Sequence, residues 1–291
     1  GAPRPQTRTK LIACEWHKIE LASVAMASTS NPPLIAAADK RVAVVTGASR
    51  GIGLELVRQL LESGEWRVVP TCRSPAEARE LLALHEAGRH VGMEAPVQLD
   101  VTDAASANRA VEAVSALVPA IQLLINNAAM PNNHDPQDHV LNTAPDAMTE
   151  LFDVNCTGVL RVTHAFLPLL RAGRGVVANL SSTLGSVSKA DSISPGYFTA
   201  YRCSKAAMNM LTRTLAAGEP QVTFVLLQPG AVATDMGRAA RSTIPGMPPD
   251  VVAGIPVDQS VRGMLRVLER DVARGKDSGK NFLCDGSQFA W

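Results

Sequence analysis

The stretch from Arg41 to Gly53 constrains this chain more than any other. Arg41-Val42-Ala43-Val44-Val45-Thr46 is a short apolar, β-branched run, the pattern of a strand buried on both faces. Gly47-Ala48-Ser49-Arg50-Gly51-Ile52-Gly53 follows, and then Leu54, Val57, Leu60 and Leu61 recur at helical spacing. Strand, glycine turn and helix make one unit. Its spacing, GxxxGxG, is not that of a P-loop, because no Gly-Lys-Ser/Thr closes it, and it differs from the GxGxxG of the commonest dinucleotide fingerprint. The physics is shared. Glycines let the backbone turn and approach a pyrophosphate, which then meets the free amides and dipole of the helix N-terminus.

The alternation repeats down the chain. Strands are predicted at Trp66–Thr71, Ala95–Leu99, Ile121–Ile125, Gly175–Leu180, Val222–Leu227 and Asn281–Leu283. Helices are predicted at Pro75–Gly88, Ala104–Leu117, Met148–Arg171, Ala200–Ala217 and Asp258–Arg274. Strands alternating with helices imply an α/β fold: a doubly wound, Rossmann-type parallel sheet of about seven strands with helices on both faces, in a single domain over residues 41–291. In such sheets ligands bind at the carboxyl ends of the strands. Asp100-Val101, Asn126-Asn127-Ala128-Ala129, Ser181-Ser182 and Gln228-Pro229-Gly230 all stand at those ends. That placement points to a nucleotide-binding enzyme.

Residues 1–40 read differently. They lack periodicity, carry Pro3, Pro5, Pro32 and Pro33, and have a basic bias with a Ser/Thr/Ala-rich run near Met26. A disordered tail and an organelle transit peptide both fit. The expected compartment is the cytoplasm, with a plastid or mitochondrion as the alternative if the segment is a transit peptide. Net charge is +1, with acids and bases interspersed, so nothing calls for nucleic acid or a membrane surface. Five cysteines without a CxxC fit a reducing compartment better than a disulfide framework. No metal site is expected. Asn155-Cys156-Thr157 and Asn179-Leu180-Ser181 match a glycosylation pattern but fall inside expected core elements.

On the helix beginning near Ala200, Tyr201 and Lys205 are four apart and share a face. A cation beside a phenol favours the phenolate and eases movement of its proton. A solvated helix face is the ordinary explanation of such a pair, and only the company of the other motifs raises the chemical one.

Taken in order, Thr46-Gly47-x-x-x-Gly51-x-Gly53, Asp100-Val101, Asn126-Asn127-Ala128-Ala129, Asn155, Ser182, Tyr201-x-x-x-Lys205 and Pro229-Gly230-x-x-x-Thr234 resemble the short-chain dehydrogenase/reductases from about Arg41 to Trp291. Tyr201 to Met210, Thr234-Asp235-Met236-Gly237 and the ending Asp285-Gly286 … Trp291 are most similar to the C-factor and sniffer-type carbonyl reductases. The resemblance implies a hydride transfer from NADP(H) to a small-molecule carbonyl substrate. Tyr201 then donates the proton, Lys205 lowers the phenol's pKa and holds the nicotinamide ribose, Ser182 orients the carbonyl oxygen, and Asn155 holds a proton-relaying water. It further implies that Gly47, Ser49, Arg50, Gly51, Ile52 and Gly53 carry the pyrophosphate turn. Asp100 and Val101 meet the adenine, Asn127 and Ala128 pass the adenosine ribose, and Pro229, Val232 and Thr234 grip the carboxamide. A plain strand-end hydroxyl remains the alternative for Ser182, a polar residue capping a helix kink for Asn155, and an ordinary turn for Pro229-Gly230.

Cofactor choice falls on the end of the second strand, where an acidic residue would bind a free ribose 2′-hydroxyl. Here it reads Thr71-Cys72-Arg73. Arg50 and Arg73 are therefore expected to pair with a 2′-phosphate, unless both are solvated surface arginines. Two departures from the family pattern stand out: Ala129 replaces a glycine, and nineteen positions separate Ser182 from Tyr201, more than usual, which makes Ser188 a rival serine. The substrate pocket is expected among Pro131–Thr143, Lys189–Tyr197 and a lid over Arg238–Pro256. A nucleotide sensor on the same fold and an NAD-dependent alcohol dehydrogenase are the competing functions. Homo-oligomerisation is left open.

Overall fold

The structure, a computed structural model, describes residues 40–87, 92–131, 139–192, 196–242, 253–272 and 275–291. Expectations for the N-terminal segment, and for the centres of the three substrate-side loops, lie outside the described residues.

Seven parallel strands form one sheet: β1 (Arg41–Val45), β2 (Trp66–Cys72), β3 (Val97–Gln98), β4 (Leu123–Asn126), β5 (Val176–Leu180), β6 (Thr223–Gln228) and β7 (Lys280–Leu283). Their order is β3-β2-β1-β4-β5-β6-β7. The chain winds outward from β1 to β3 and returns to pair β4 with the other side of β1. This reversal leaves a crevice at the carboxyl ends of β1 and β4, where ligands bind in sheets of this kind.

β1 shows why its sequence is apolar throughout. Ala43 and Val45 face a core shared with Leu56 and Leu60 of α1 (Gly51–Glu62), while Val42 and Val44 face a second core with Phe166 and Leu170. The remaining helices in chain order are α2 (Arg79–Glu86), α3 (Ala104–Leu117), α4 (Pro145–Phe152), α5 (Gly158–Gly173), α6 (Thr199–Gly218), α7 (Asp235–Ser242) and α8 (Val257–Arg266). Val261 and Met264 of α8 join α1 on the first face; Ala110 and Val114 of α3 join α5 on the second. A fully buried Leu or Phe such as Leu56 or Phe166 contributes on the order of 1.5–3 kcal/mol.

Four expected elements differ from what is observed. The long helix expected from Met148 starts at Pro145 and is interrupted by a π-helical turn at Asp153–Thr157. The helix expected at Pro75–Gly88 divides at Ala78, whose ψ of 63° is not helical, into a 3-10 turn and α2. The third strand shrinks to two residues because only Thr71 and Cys72 offer it partners. The last helix gives way to a π turn at Val267–Asp271. α7 was not foreseen; the Thr234 hydroxyl caps it by accepting from the Gly237 amide at 3.0 Å. Among the described residues no helix is long and apolar enough to cross a membrane.

Candidate active site

The glycine turn is fixed by sterics. Gly47 sits at φ 64°, and a Cβ there would lie 2.8 Å from the Ala128 Cα. A Cβ on Gly53 would lie 2.3 Å from the Gly47 carbonyl oxygen and 2.5 Å from Asn127 Nδ2, so no side chain fits without moving backbone. The end of β4 clamps this turn. Thr46 Oγ1 accepts from the amides of Asn127 and Ala128 at 3.1 and 3.0 Å, and Asn127 Nδ2 donates to the Thr46 and Gly47 carbonyls at 2.8 and 3.0 Å. The Asn127 side chain is thereby spent on the turn. What remains is a side-chain-free cradle at the start of α1, a shape and dipole that fit a pyrophosphate.

The neighbouring strand ends converge on the same edge. Asp100 accepts from the Thr102 amide at 2.9 Å and its hydroxyl at 2.7 Å. Burial pushes its carboxyl up, but the Thr102 bonds, with Arg73 and Arg161 nearby, carry it below the usual range. Arg161 donates to the Val101 carbonyl and to Asp153 Oδ1, tying Val101 to the π turn. Arg50 and Arg73 are exposed at the glycine turn and the end of β2, while Ser49 and Ile52 are half-buried. Ser260 of α8 donates to the Pro229 carbonyl at 2.7 Å, holding the turn that includes Gly230 at φ 82°. Val232 bridges Ile255. Thr234 faces the glycine turn, its methyl 3.6 Å from where a Gly51 Cβ would stand.

Asn155 owes its position to the π turn, whose extra residue per turn redirects a side chain, a device common at functional sites. It is wholly buried. Its Oδ1 accepts from the Met130 amide at 2.8 Å, and its Nδ2 donates to the Met130 carbonyl at 3.0 Å and to Ser204 Oγ at 3.1 Å. It thus joins the β4 loop to α6.

α6 carries the reactive groups. Tyr201 bonds the side chain of Ser182, whose Oγ also accepts from the Leu184 amide at 3.2 Å. The rival Ser188 lies elsewhere: its hydroxyl meets Ser186 at 3.2 Å and its amide donates to the Trp291 carbonyl at 2.8 Å. Lys205 is 3% exposed, donates to the Leu180 carbonyl at 2.8 Å, and places Nζ 5.7 Å from the Tyr201 ring centre. Burial pushes the phenol up to about 12 against the opposing Ser182 bond, and pushes Lys205 down to about 8 against the opposing effect of Cys156. The expected lowering of the phenol's pKa by Lys205 is therefore not the dominant effect in this arrangement; burial is. Near neutrality the phenol keeps its proton, the form a proton donor needs.

Residues 41–245 match the family model described as short chain dehydrogenase. The chain belongs to the short-chain dehydrogenase family. It is 36% identical to the NADPH-bound carbonyl reductase from chicken fatty liver, with a TM-score of 0.75 over 87% of this chain and 99% of that one. The carbonyl reductase Sniffer of D. melanogaster is 26% identical, with a TM-score of 0.73 over 87% and 100% of the two chains. The C-signal protein of Myxococcus xanthus is 41% identical over 147 residues, which are 50% of this chain and 78% of that protein.

A second set of polar residues escaped the sequence reading. Asn126 Nδ2 donates to Asn179 Oδ1 at 2.8 Å and to Thr163 at 3.3 Å, and Asn179 Nδ2 donates to Thr212 Oγ1 at 2.9 Å. This buried ladder couples α5 and α6 through the two central strands. Its signal was present, since Asn126 and Asn179 are polar in strands whose other positions are apolar.

Proposed function

We propose that the enzyme reduces the carbonyl of a small aldehyde or ketone with NADPH, Tyr201 serving as proton donor. The observation that carries the reading is one constellation: protonated Tyr201 bonded to Ser182, with the Lys205 ammonium 5.7 Å from its ring, on the same sheet edge as the glycine cradle. The cradle of Gly47, Ser49, Arg50, Gly51, Ile52 and Gly53 fits a pyrophosphate because nothing larger than hydrogen stands at Gly47 and Gly53. Asp100 and Val101 would hold the adenine end, Asn127 and Ala128 the adenosine ribose, and Lys205 the nicotinamide ribose. Pro229, Val232 and Thr234 would hold the carboxamide. Thr234 Oγ1 accepts from Gly237, which leaves its hydrogen for that acceptor. Arg50 and Arg73 would take the 2′-phosphate, a charge-assisted contact.

The cofactor, when bound, supplies a hydride. Ser182 Oγ accepts from Leu184, so its own proton is available to bond the substrate oxygen as negative charge develops there. Tyr201 then delivers its proton to that oxygen, giving the alcohol. Lys205 stabilises the phenolate left behind, and Asn155, held between Met130 and Ser204, keeps the path behind Lys205 in place for a water that returns the proton. We assign the protein to the cytoplasm, with residues 1–40 as a dispensable or targeting segment.

A signalling role is the second reading, favoured by the name of the Myxococcus relative. The test is a panel of aldehydes and ketones with NADPH and NADH, following absorbance of the reduced nicotinamide. NADPH-dependent turnover is expected. An inert protein across the panel, with NADPH still bound, would overturn the reductase in favour of a sensor.

A further inference from the structure

α6 grips the end of β5 residue by residue. Thr212 accepts from the side chain of Asn179 at 2.9 Å, Lys205 donates to the Leu180 carbonyl at 2.8 Å, and Tyr201 bonds Ser182. Between these stands Asn209, eight positions beyond Tyr201 and four beyond Lys205, hence on the same helical face. Its Oδ1 accepts from the Ser181 hydroxyl at 2.6 Å, and its Nδ2 donates to the Gly185 carbonyl at 3.1 Å. Asn209 is 4% exposed.

One carboxamide therefore fastens the chain on both sides of Ser182, one residue before it and three after. The segment is pressed close: a Cβ on Gly185 would lie 2.9 Å from the Lys205 Cβ. Within the bracket, Ser182 accepts the Gly185 amide on its carbonyl at 2.8 Å and the Leu184 amide on Oγ at 3.2 Å. Ser182 itself touches α6 only through the group it must serve, the Tyr201 phenol. Its distance from Tyr201 depends on an anchor that is not part of the chemistry.

We infer that Asn209 is a positioning residue for Ser182, setting the serine hydroxyl at the height on α6 where it meets both the phenol and the substrate oxygen. Only an amide does this: an acceptor is needed on the Ser181 side and a donor on the Gly185 side. Leucine fills the same volume and supplies neither. Misplacement of a positioned group by about 1 Å can cost roughly a hundred-fold in rate.

The inference rests on the reading of Ser182 as an orienting group, and a double-mutant cycle separates the two. Asn209→Leu, Ser182→Ala and the double variant are measured for kcat and KM with one reducible carbonyl, and for NADPH affinity by fluorescence titration. Asn209→Leu is expected to lower kcat about ten- to a hundred-fold, with NADPH affinity within two-fold of wild type. In the Ser182→Ala background the same change should have little further effect, because there is no hydroxyl left to place. A merely structural role would lower kcat in both backgrounds alike, and that result would overturn the inference. Wild-type turnover in Ser182→Ala would instead remove the reading beneath it. Ser181→Ala, which deletes one side of the bracket without emptying the core, gives the same cycle should Asn209→Leu fail to fold. Thr212→Val, on the same face but holding Asn179, is the control: it should lower thermal stability and leave kcat in place.

Discussion

The cofactor edge and the catalytic edge of this sheet are built by opposite means. Around β1 and α1 the backbone does the work: glycines, amides and carbonyls shape the cradle, and the charged side chains Arg50 and Arg73 stay exposed. Around β5 and α6 the side chains do it, and they are buried: Asn126, Asn155, Asn179, Lys205, Asn209 and Thr212 are all 4% exposed or less. The first edge is vulnerable to added atoms, the second to removed hydrogen bonds. Its geometry is held by polar groups that have no water to fall back on, which makes it specific and costly to disturb.

The sharpest way to break the contrast is to add atoms where the cofactor edge has none. Gly53→Val would drive side-chain carbon into the Gly47 carbonyl and Asn127. NADPH binding is expected to disappear, or to weaken by more than about a hundred-fold, roughly 2.7 kcal/mol, as read by isothermal titration. Retained affinity would mean that the turn does not set the cofactor's place.

Removal should act differently at the other edge. Asn179→Leu strips partners from Asn126 and Thr212, and unpaired buried groups cost about 1–3 kcal/mol each. Urea unfolding should show that loss, with NADPH affinity almost unchanged. If stability held and cofactor affinity fell, the two edges would not be separate.

Charge-assisted contacts to a 2′-phosphate are worth about 1.5–3 kcal/mol. Arg50→Ala with Arg73→Ala should therefore weaken NADPH by roughly ten- to a hundred-fold and leave NADH where it was. An equal loss for both cofactors would place the arginines on a shared part of the molecule.

The smallest effect is a slope with pH. Lys205 is held near 8 against an ordinary 10.5, so between those values the unfolded chain binds the extra proton and stability rises with pH. Wild type should gain on Lys205→Met in thermal midpoint from pH 8 to pH 10. Tyr201, shifted upward to about 12, acts in the reverse sense only above pH 10. Parallel curves for the two proteins would show that Lys205 is not desolvated.

The glycine turn and the strand order were legible because sterics and burial write themselves into single positions: Gly47, Gly53, and the unbroken apolar run of β1. The motif residues Tyr201, Lys205, Ser182 and Asn155 were legible by resemblance and spacing. The π turn that aims Asn155 was not, since Asp153 to Thr157 reads as ordinary helix and its extra residue appears only against the packing of Val101 on Gly158. Asn209 was hidden for a different reason. A polar residue on a helix face declares nothing until the strand it meets is known. The direction of the Tyr201 shift was misjudged likewise, because sequence shows a neighbouring cation but not the depth at which both groups lie.

The central claim, that Tyr201 completes a hydride transfer by giving up its proton, is tested most directly by single turnover. NADPH deuterated at the transferring position is mixed with one carbonyl substrate and wild type or Tyr201→Phe, following both nicotinamide absorbance and label in the alcohol. Wild type should place deuterium on the former carbonyl carbon. The variant should bind NADPH as tightly and transfer about a hundred- to ten-thousand-fold more slowly. Equal transfer rates in the two proteins would contradict the account.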